Sequence, residues 1–166
     1  MTEPLSDVSV SAAEPLMALA PKLAQLGTAL SRGRVHEKAT ELADVSLERP
    51  ALQILLTLLG AGGPLRVGEI AAEMQVEGPH VTRHAQRLEK KGLVQRVVDP
   101  QDRRARLIEL TPEGGALARR YRSVVMNWLA RAIVDWSEQD RDELVRLATR
   151  MVDDILDYLR EEVGDD

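Results

Sequence analysis

The sequence predicts a mainly α fold with a small β-hairpin (α+β), and three observations carry that expectation. Apolar residues recur at helical spacing through most of the chain. Between residues 93 and 110 the pattern switches to two short β-rich runs. Glycines and prolines fall at the joints between these segments. At 166 residues, 44% of them hydrophobic, the chain can bury a sizeable core. With two Trp, two Tyr and no Phe, that core must be built from Leu, Val, Ile, Ala and Met. The absence of cysteine excludes disulfide frameworks, thiolate zinc sites and cysteine-based peroxide sensing. No apolar run reaches the ~18 residues of a membrane span, and the N-terminus lacks a basic region followed by a hydrophobic one. No membrane partner is therefore expected, and the expected location is cytoplasmic.

Residues 1–14 are small, polar and acidic without periodicity, and are expected to form a disordered tail. From Pro15 to residue 45 a helix carries Leu16, Leu19, Leu23, Leu26 and Leu30 at spacings of three and four. Pro21 marks either a kink in it or its true start. Gly60-Ala61-Gly62-Gly63-Pro64 reads as a loop and not as a phosphate cradle, because the lysine and spacing of a P-loop are missing. Glu69–Met74 is helical and breaks at Gln75-Val76-Glu77-Gly78. A second helix runs from Pro79 to Lys91, with Gly78 suited to the N-cap, Pro79 to the first helical position and Gly92 to the C′ position. Leu93–Val98 and Arg104–Leu110 are the β-rich runs, joined by an Asp-Pro turn. Thr111 caps a long helix with Leu117, Tyr121, Val124, Val125, Trp128, Leu129 and Ile133 on its apolar side. Ser137 and Asp140 resemble a capping box opening the last helix, which bears Leu144, Leu147, Met151, Ile155 and Leu159.

Helix, tight turn, helix and hairpin in that order make a winged helix-turn-helix. This shape offers double-stranded DNA one helix for the major groove and one basic finger for the minor groove. In the second helix Val81, Ala85 and Leu88 gather on the packed side, and Pro79, Arg83 and Gln86 lie opposite, with His80, Thr82 and Arg87 on the flanks. Such a polar face suits base reading, because Arg pairs with guanine and Gln with adenine through two hydrogen bonds each. The blander reading is a solvated amphipathic helix with ordinary surface charges. His84 is expected as a partly buried flank residue within reach of the DNA backbone. In the hairpin, Arg103 and Arg104 at the tip and Arg106 just behind it are the candidate DNA contacts. Asp99 and Asp102 are the carboxylates expected to hold and orient them, with at least one of Arg103 and Arg104 entering the minor groove. The competing reading is a surface ion pair worth roughly 0–1 kcal/mol with no further role.

A net charge of −5 suits a DNA-binding protein only once it is divided along the chain. Residues 64–111 carry +2 and residues 112–134 carry +3, whereas residues 135–166 carry −8 and residues 1–63 carry −2. Acid concentrated in the last helix repels phosphate and helps to orient docking.

From Ser46 to Arg122 the chain resembles the MarR family of bacterial transcription regulators. The resemblance rests on Leu47–Leu55, Val67-Gly68-Glu69-Ile70-Ala71, Val81-Thr82-Arg83, Arg87–Val94, Asp99–Ala105 and Leu110–Gly114, all in order and register. It implies a homodimer with two winged domains and a helical dimerisation domain formed by the N- and C-terminal helices. The expected organisation is a dimerisation helix at residues 15–45, a winged domain at 46–111 and dimerisation helices at 112–166. Two half-sites near one turn of DNA apart, ~34–36 Å, follow from such a dimer. The chain departs from the family at Glu77, Gly78, Pro79 and His80, where many relatives place small hydroxyl residues that contact phosphate. The resemblance also implies an effector pocket, here drawing on Arg34, His36, Leu52 and Tyr121, with no ligand assigned.

His80 and His84 stand one turn apart, yet the Glu, the third ligand and the motif order of a metalloprotease helix are absent, so no metal is expected. The twelve acids of residues 135–166, with four arginines interleaved, look like the solvated face of an amphipathic helix and not a catalytic carboxylate pair. No nucleophile has a partnered base, and neither a cofactor nor an enzymatic role is expected. The leading expectation is a homodimeric, ligand-responsive repressor on a pseudo-palindromic operator. The other is a winged-helix protein–protein module that has lost DNA binding, which gives no physical reason to keep arginines on both groove-facing elements.

Overall fold

The computed structural model describes residues 10–31 and 33–163. It contains α1 (Val10–Ser31), α2 (Gly33–Leu42), α3 (Arg49–Ala61), α4 (Val67–Met74), α5 (Gly78–Lys90), β1 (Val94–Val98), β2 (Arg106–Leu110), α6 (Pro112–Ala132) and α7 (Glu138–Val163). The chain divides into two compact units, one ending at Val125 and the other starting at Met126, so the boundary falls inside α6. α1 begins at Val10, ahead of the expected start, and runs through both Pro15 and Pro21. Abundant Ala and Leu, the strongest helix formers, offset the two hydrogen bonds that the prolines remove. The expected single helix over 15–45 is two, α1 and α2. Of the expected disordered tail, residues 1–9 lie outside the described residues.

The core of the first unit is the meeting of α3, α4 and α5 with the hairpin. Ile54, Leu55 and Leu58 of α3, Ile70 of α4, Val81 and Leu88 of α5, Leu93 just before β1, Val94 of β1 and Ile108 of β2 are all buried there. Full burial stabilises by about 1.5–3 kcal/mol per large side chain, so the turn between α4 and α5 is fixed from both sides. Gln75 makes that turn with φ 54. α5 starts one residue earlier than expected, with Glu77 as its N-cap and Pro79 still within its first turn. Its end is as the sequence implies. Gly92 has φ 70, its N–H donates to the Glu89 carbonyl at 2.9 Å, and the Leu93 N–H donates to the Leu88 carbonyl at 3.0 Å, a Schellman pair.

β1 and β2 pair antiparallel, with Val94 opposite Leu110 and Val98 opposite Arg106. Leu65 adds a short third rung: its N–H donates to the Ile108 carbonyl at 3.0 Å and its carbonyl accepts from Ile108 at 2.8 Å. The base of the hairpin is sealed onto α6. The Thr111 N–H donates to the Leu93 carbonyl at 3.1 Å, and the Thr111 hydroxyl donates to the Gly92 carbonyl at 2.7 Å and accepts the Gly114 N–H at 3.1 Å. Gly114 lies so close to this joint that a Cβ there would stand 1.9 Å from the Leu93 carbonyl oxygen. In the second unit the Ser137 hydroxyl caps α7 by accepting the Asp140 N–H at 3.1 Å.

Candidate nucleic-acid interface

α5 divides its residues by face as the apolar spacing implies. Val81, Ala85 and Leu88 are sealed inside, while Pro79, Arg83 and Gln86 are exposed on the opposite side with Lys90. Thr82 is half-buried on one flank, and its hydroxyl donates back to the Gly78 carbonyl at 3.0 Å, so the first turn of the helix uses it. His80 is half-buried and Arg87 exposed on the other flank. Arg87 Nη1 donates to the Glu48 carboxylate at 3.1 Å, a contact spanning 39 residues. Glu48 is the N-cap residue of α3, yet its side chain makes no cap and reaches across to α5 instead.

His84 corrects an expectation. It is 6% exposed, not partly buried, and its ring stacks at a tilt 4.6 Å from that of His80. Burial, and then the neighbouring His80 and Arg87 charges, hold it below the ordinary histidine range, so it is neutral at pH 7. So enclosed, the ring offers almost no surface for a contact with the DNA backbone.

The wing tip is also held differently from the sequence expectation. Asp99 is 4% exposed, and its carboxylate takes four donors: the N–H groups of Gln101 at 2.8 Å and Asp102 at 3.3 Å, Arg66 Nε at 2.8 Å and Arg66 Nη2. The Gln101 amide first, and then Arg66, keep Asp99 below the usual carboxylate range. Its partner is thus Arg66 and neither Arg103 nor Arg104. The reason lies in the Leu65 rung, which sets Arg66 beside the tip, where a buried carboxylate needs a strong donor. Asp102 accepts the backbone N–H of Arg104 at 2.9 Å. Among the described residues no carboxylate holds the side chains of Arg103 and Arg104, and both are exposed. Arg106 folds back, donating to the carbonyls of Arg103 at 3.0 Å and Ala105 at 3.1 Å.

Sequence reasoning missed Arg66 and Glu48. Neither had a local signal, since their partners lie 33 and 39 residues away. Of the residues expected around an effector, His36 and Tyr121 meet, with the Tyr121 hydroxyl 3.4 Å from His36 Nδ1. Burial first, and then Arg49, lower the His36 pKa, and burial raises that of Tyr121. Leu52 is buried, and the Arg34 side chain lies outside the described residues. Among the described residues no group of three His, Cys, Asp or Glu is placed to hold a metal, and no helix is long and apolar enough to cross a membrane.

A helix held by its apolar stripe with Arg and Gln on the open face, next to a hairpin ending in exposed arginines, defines the class of winged-helix DNA-binding proteins. The MarR family model matches residues 45–105, from the segment between α2 and α3 to the wing tip. An uncharacterised HTH-type transcriptional regulator, YxaD of Bacillus subtilis (strain 168), is 30% identical over 124 residues, covering 75% of this chain and 86% of that one. The HTH-type transcriptional repressor MdtR of the same organism is 43% identical over 65 residues, which is 39% of this chain and 42% of its own. The structure of a MarR family protein from Bacillus stearothermophilus superposes with a TM-score of 0.67 at 22% identity, over 86% of this chain and 97% of that one, and shows the same fold. The chain belongs to the MarR family of DNA-binding transcription regulators.

Proposed function

We propose that this protein is a homodimer that binds a pseudo-palindromic operator and acts as a ligand-responsive repressor. The observation that carries the DNA reading is the pairing of two outward cationic elements on a rigid frame: Arg83 with Gln86 on α5, and Arg103 with Arg104 at a tip that leaves their side chains free. Arg83 and Gln86 read base edges, His80, Thr82 and Arg87 lie along the backbone, and Pro79 sets the first turn of the helix. One of Arg103 and Arg104 enters the minor groove while Arg106, with Asp99 and Asp102, shapes the loop behind it. The homodimer is supported by the half-exposed apolar stripes of α1 and α7, and the repressor reading by the likeness to MdtR. In this reading an effector, its identity unassigned, binds beside the pair formed by half-buried His36 and buried Tyr121. No observation favours the protein–protein module.

The test is Arg83→Ala. It is expected to weaken binding to a duplex from upstream of the protein's own coding sequence by roughly 1–3 kcal/mol, and to relax the base preference at one position, with the protein still folded. Equal binding to all base variants by mutant and wild type would remove α5 from the reading role.

A further inference from the structure

Glu48, Arg87 and His84 form a cluster in which one carboxylate serves two bases. Glu48 Oε2 lies 3.1 Å from Arg87 Nη1 and 3.7 Å from His84 Nδ1. That imidazole nitrogen is buried and has no hydrogen-bond partner among the described residues. The two competitors differ in freedom. The Arg87 side chain is 55% exposed on the flank of α5, whereas that of His84 is 7% exposed and fixed by packing. An unpartnered buried polar atom costs about 1–3 kcal/mol, so the cluster as it stands holds an unmet demand beside a carboxylate.

We propose that Glu48 is a positioning residue that parks Arg87 in the free protein and passes to His84 when Arg87 moves to a DNA phosphate. His84 takes a proton from water in the same exchange, and charge balances at each end: Glu48 with Arg87 becomes Glu48 with protonated His84, and Arg87 with phosphate. This inference rests on the DNA-binding reading above. The groups facing His84 are His80, Arg83 and Arg87 on its own helix and Glu48 from the start of α3, with Lys90 and Lys91 lining the same open cleft. In the free protein burial and the neighbouring cations disfavour protonation. Once Arg87 has left, the Glu48 carboxylate acts on His84 alone, and its proton affinity rises. A group whose pKa is higher in the bound state binds a proton on association. The gain in affinity is therefore full below the free-state pKa and is lost as pH rises through the bound-state pKa, around and below the ordinary histidine range.

The experiment measures anisotropy of a labelled duplex from upstream of the coding sequence at a series of pH values and fixed salt. Wild type is expected to bind more tightly as pH falls, with a slope approaching the one-proton limit of about tenfold per pH unit. Glu48→Gln binds roughly two- to fivefold tighter at pH 8 and loses most of that slope. His84→Gln loses the slope as well, and His80→Gln keeps it. A slope unchanged in Glu48→Gln overturns the handover. The ring titration of His84 followed by NMR in DNA-free protein supplies an arm on exposed positions that do not endanger folding. Arg87→Ala is expected to raise its midpoint and Glu48→Gln to lower it, and an unmoved midpoint in both overturns the shared carboxylate. If wild type binds no duplex at any pH, it is the DNA reading that falls, while the ring titration still decides whether Glu48 is shared.

Discussion

α5 and α7 are both amphipathic helices, and their apolar stripes end in opposite places. In α5, Val81 and Leu88 are 0% exposed and Ala85 2%. In α7, Leu144, Leu147, Ile155 and Leu159 remain 45–47% exposed, and Val145, Val152 and Leu156 are open too. Local pairs such as Glu143–Arg146 at 2.7 Å and Asp157–Arg160 at 2.6 Å support the polar face of α7, each worth a few tenths of a kcal/mol. They do nothing for its apolar face. One chain is enough to bury the stripe of α5, whereas in the same chain the stripe of α7 is left half-exposed. In a dimer formed through α7, positioning of the groove-facing residues and spacing of the two half-sites are separately encoded.

Cutting the chain after Ser137 tests that separation most severely. The truncated protein lacks the whole α7 stripe but keeps every residue proposed to touch DNA. Light scattering coupled to size exclusion is expected to show a monomer or an aggregate, and the extra affinity from two linked half-sites should vanish. A well-folded dimer after truncation would move the interface to α1, whose Leu16, Leu19, Leu23 and Leu26 are also 41–50% exposed. A gentler version, Leu147→Asp with Ile155→Asp, should give the same change of state without shortening the chain.

The complementary cut falls in α5. Leu88→Ala empties a site at 0% exposure and is expected to destabilise by about 2–5 kcal/mol in urea denaturation. Leu147→Ala, at a 47% exposed position, should leave the winged unit's stability intact and lower only the concentration-dependent part. Similar losses in both variants, independent of protein concentration, would erase the distinction between the helices.

What could be read from the sequence follows the same line between local and distant causes. Gly92 as the C′ residue of α5, Thr111 and Ser137 as N-caps, the faces of α5 and both strands were all readable, because each depends on residues within a turn or two. Arg66 on Asp99, Glu48 on Arg87 and the Leu65 rung on Ile108 were not, since each exists only after α3, α4 and the hairpin have packed. The charge pattern at the wing pointed to the nearest arginines for Asp99, and tertiary proximity chose another. His84 was misjudged for a related reason: helix angle put it on the flank, but the segment leading into α3 covers that flank. Pro15 suggested a helix start, and the Ala-rich residues around it carried the helix past it.

The wing represents a third way of holding structure, neither a sealed stripe nor an uncovered one. Replacing Arg103 and Arg104 together by Ala should weaken operator binding by roughly 1–3 kcal/mol and remove any preference for A·T pairs beside the major-groove contacts, with the fold unchanged. Unchanged affinity and flank preference would leave the tip without a groove to enter.

The smallest expected effect comes from the carboxylate beneath that tip. Asp99 carries a pKa held low by the Gln101 amide and Arg66, so its contribution is present above the unfolded-state carboxylate range and is lost as pH falls through its folded value. Asp99→Asn removes the charge but keeps an acceptor. It should therefore loosen only the loop: the amides of Gln101 and Asp102 exchange faster with solvent, and operator affinity falls by less than in the double arginine variant. Wild type brought to acid below the usual carboxylate range should show the same loss of protection at these two amides, taken relative to the intrinsic exchange rate at that pH, while the Val81–Leu88 stripe of α5, held by burial and not by charge, stays protected. If α5 amides open together with the tip, the wing is no separate element but part of the same cooperative core.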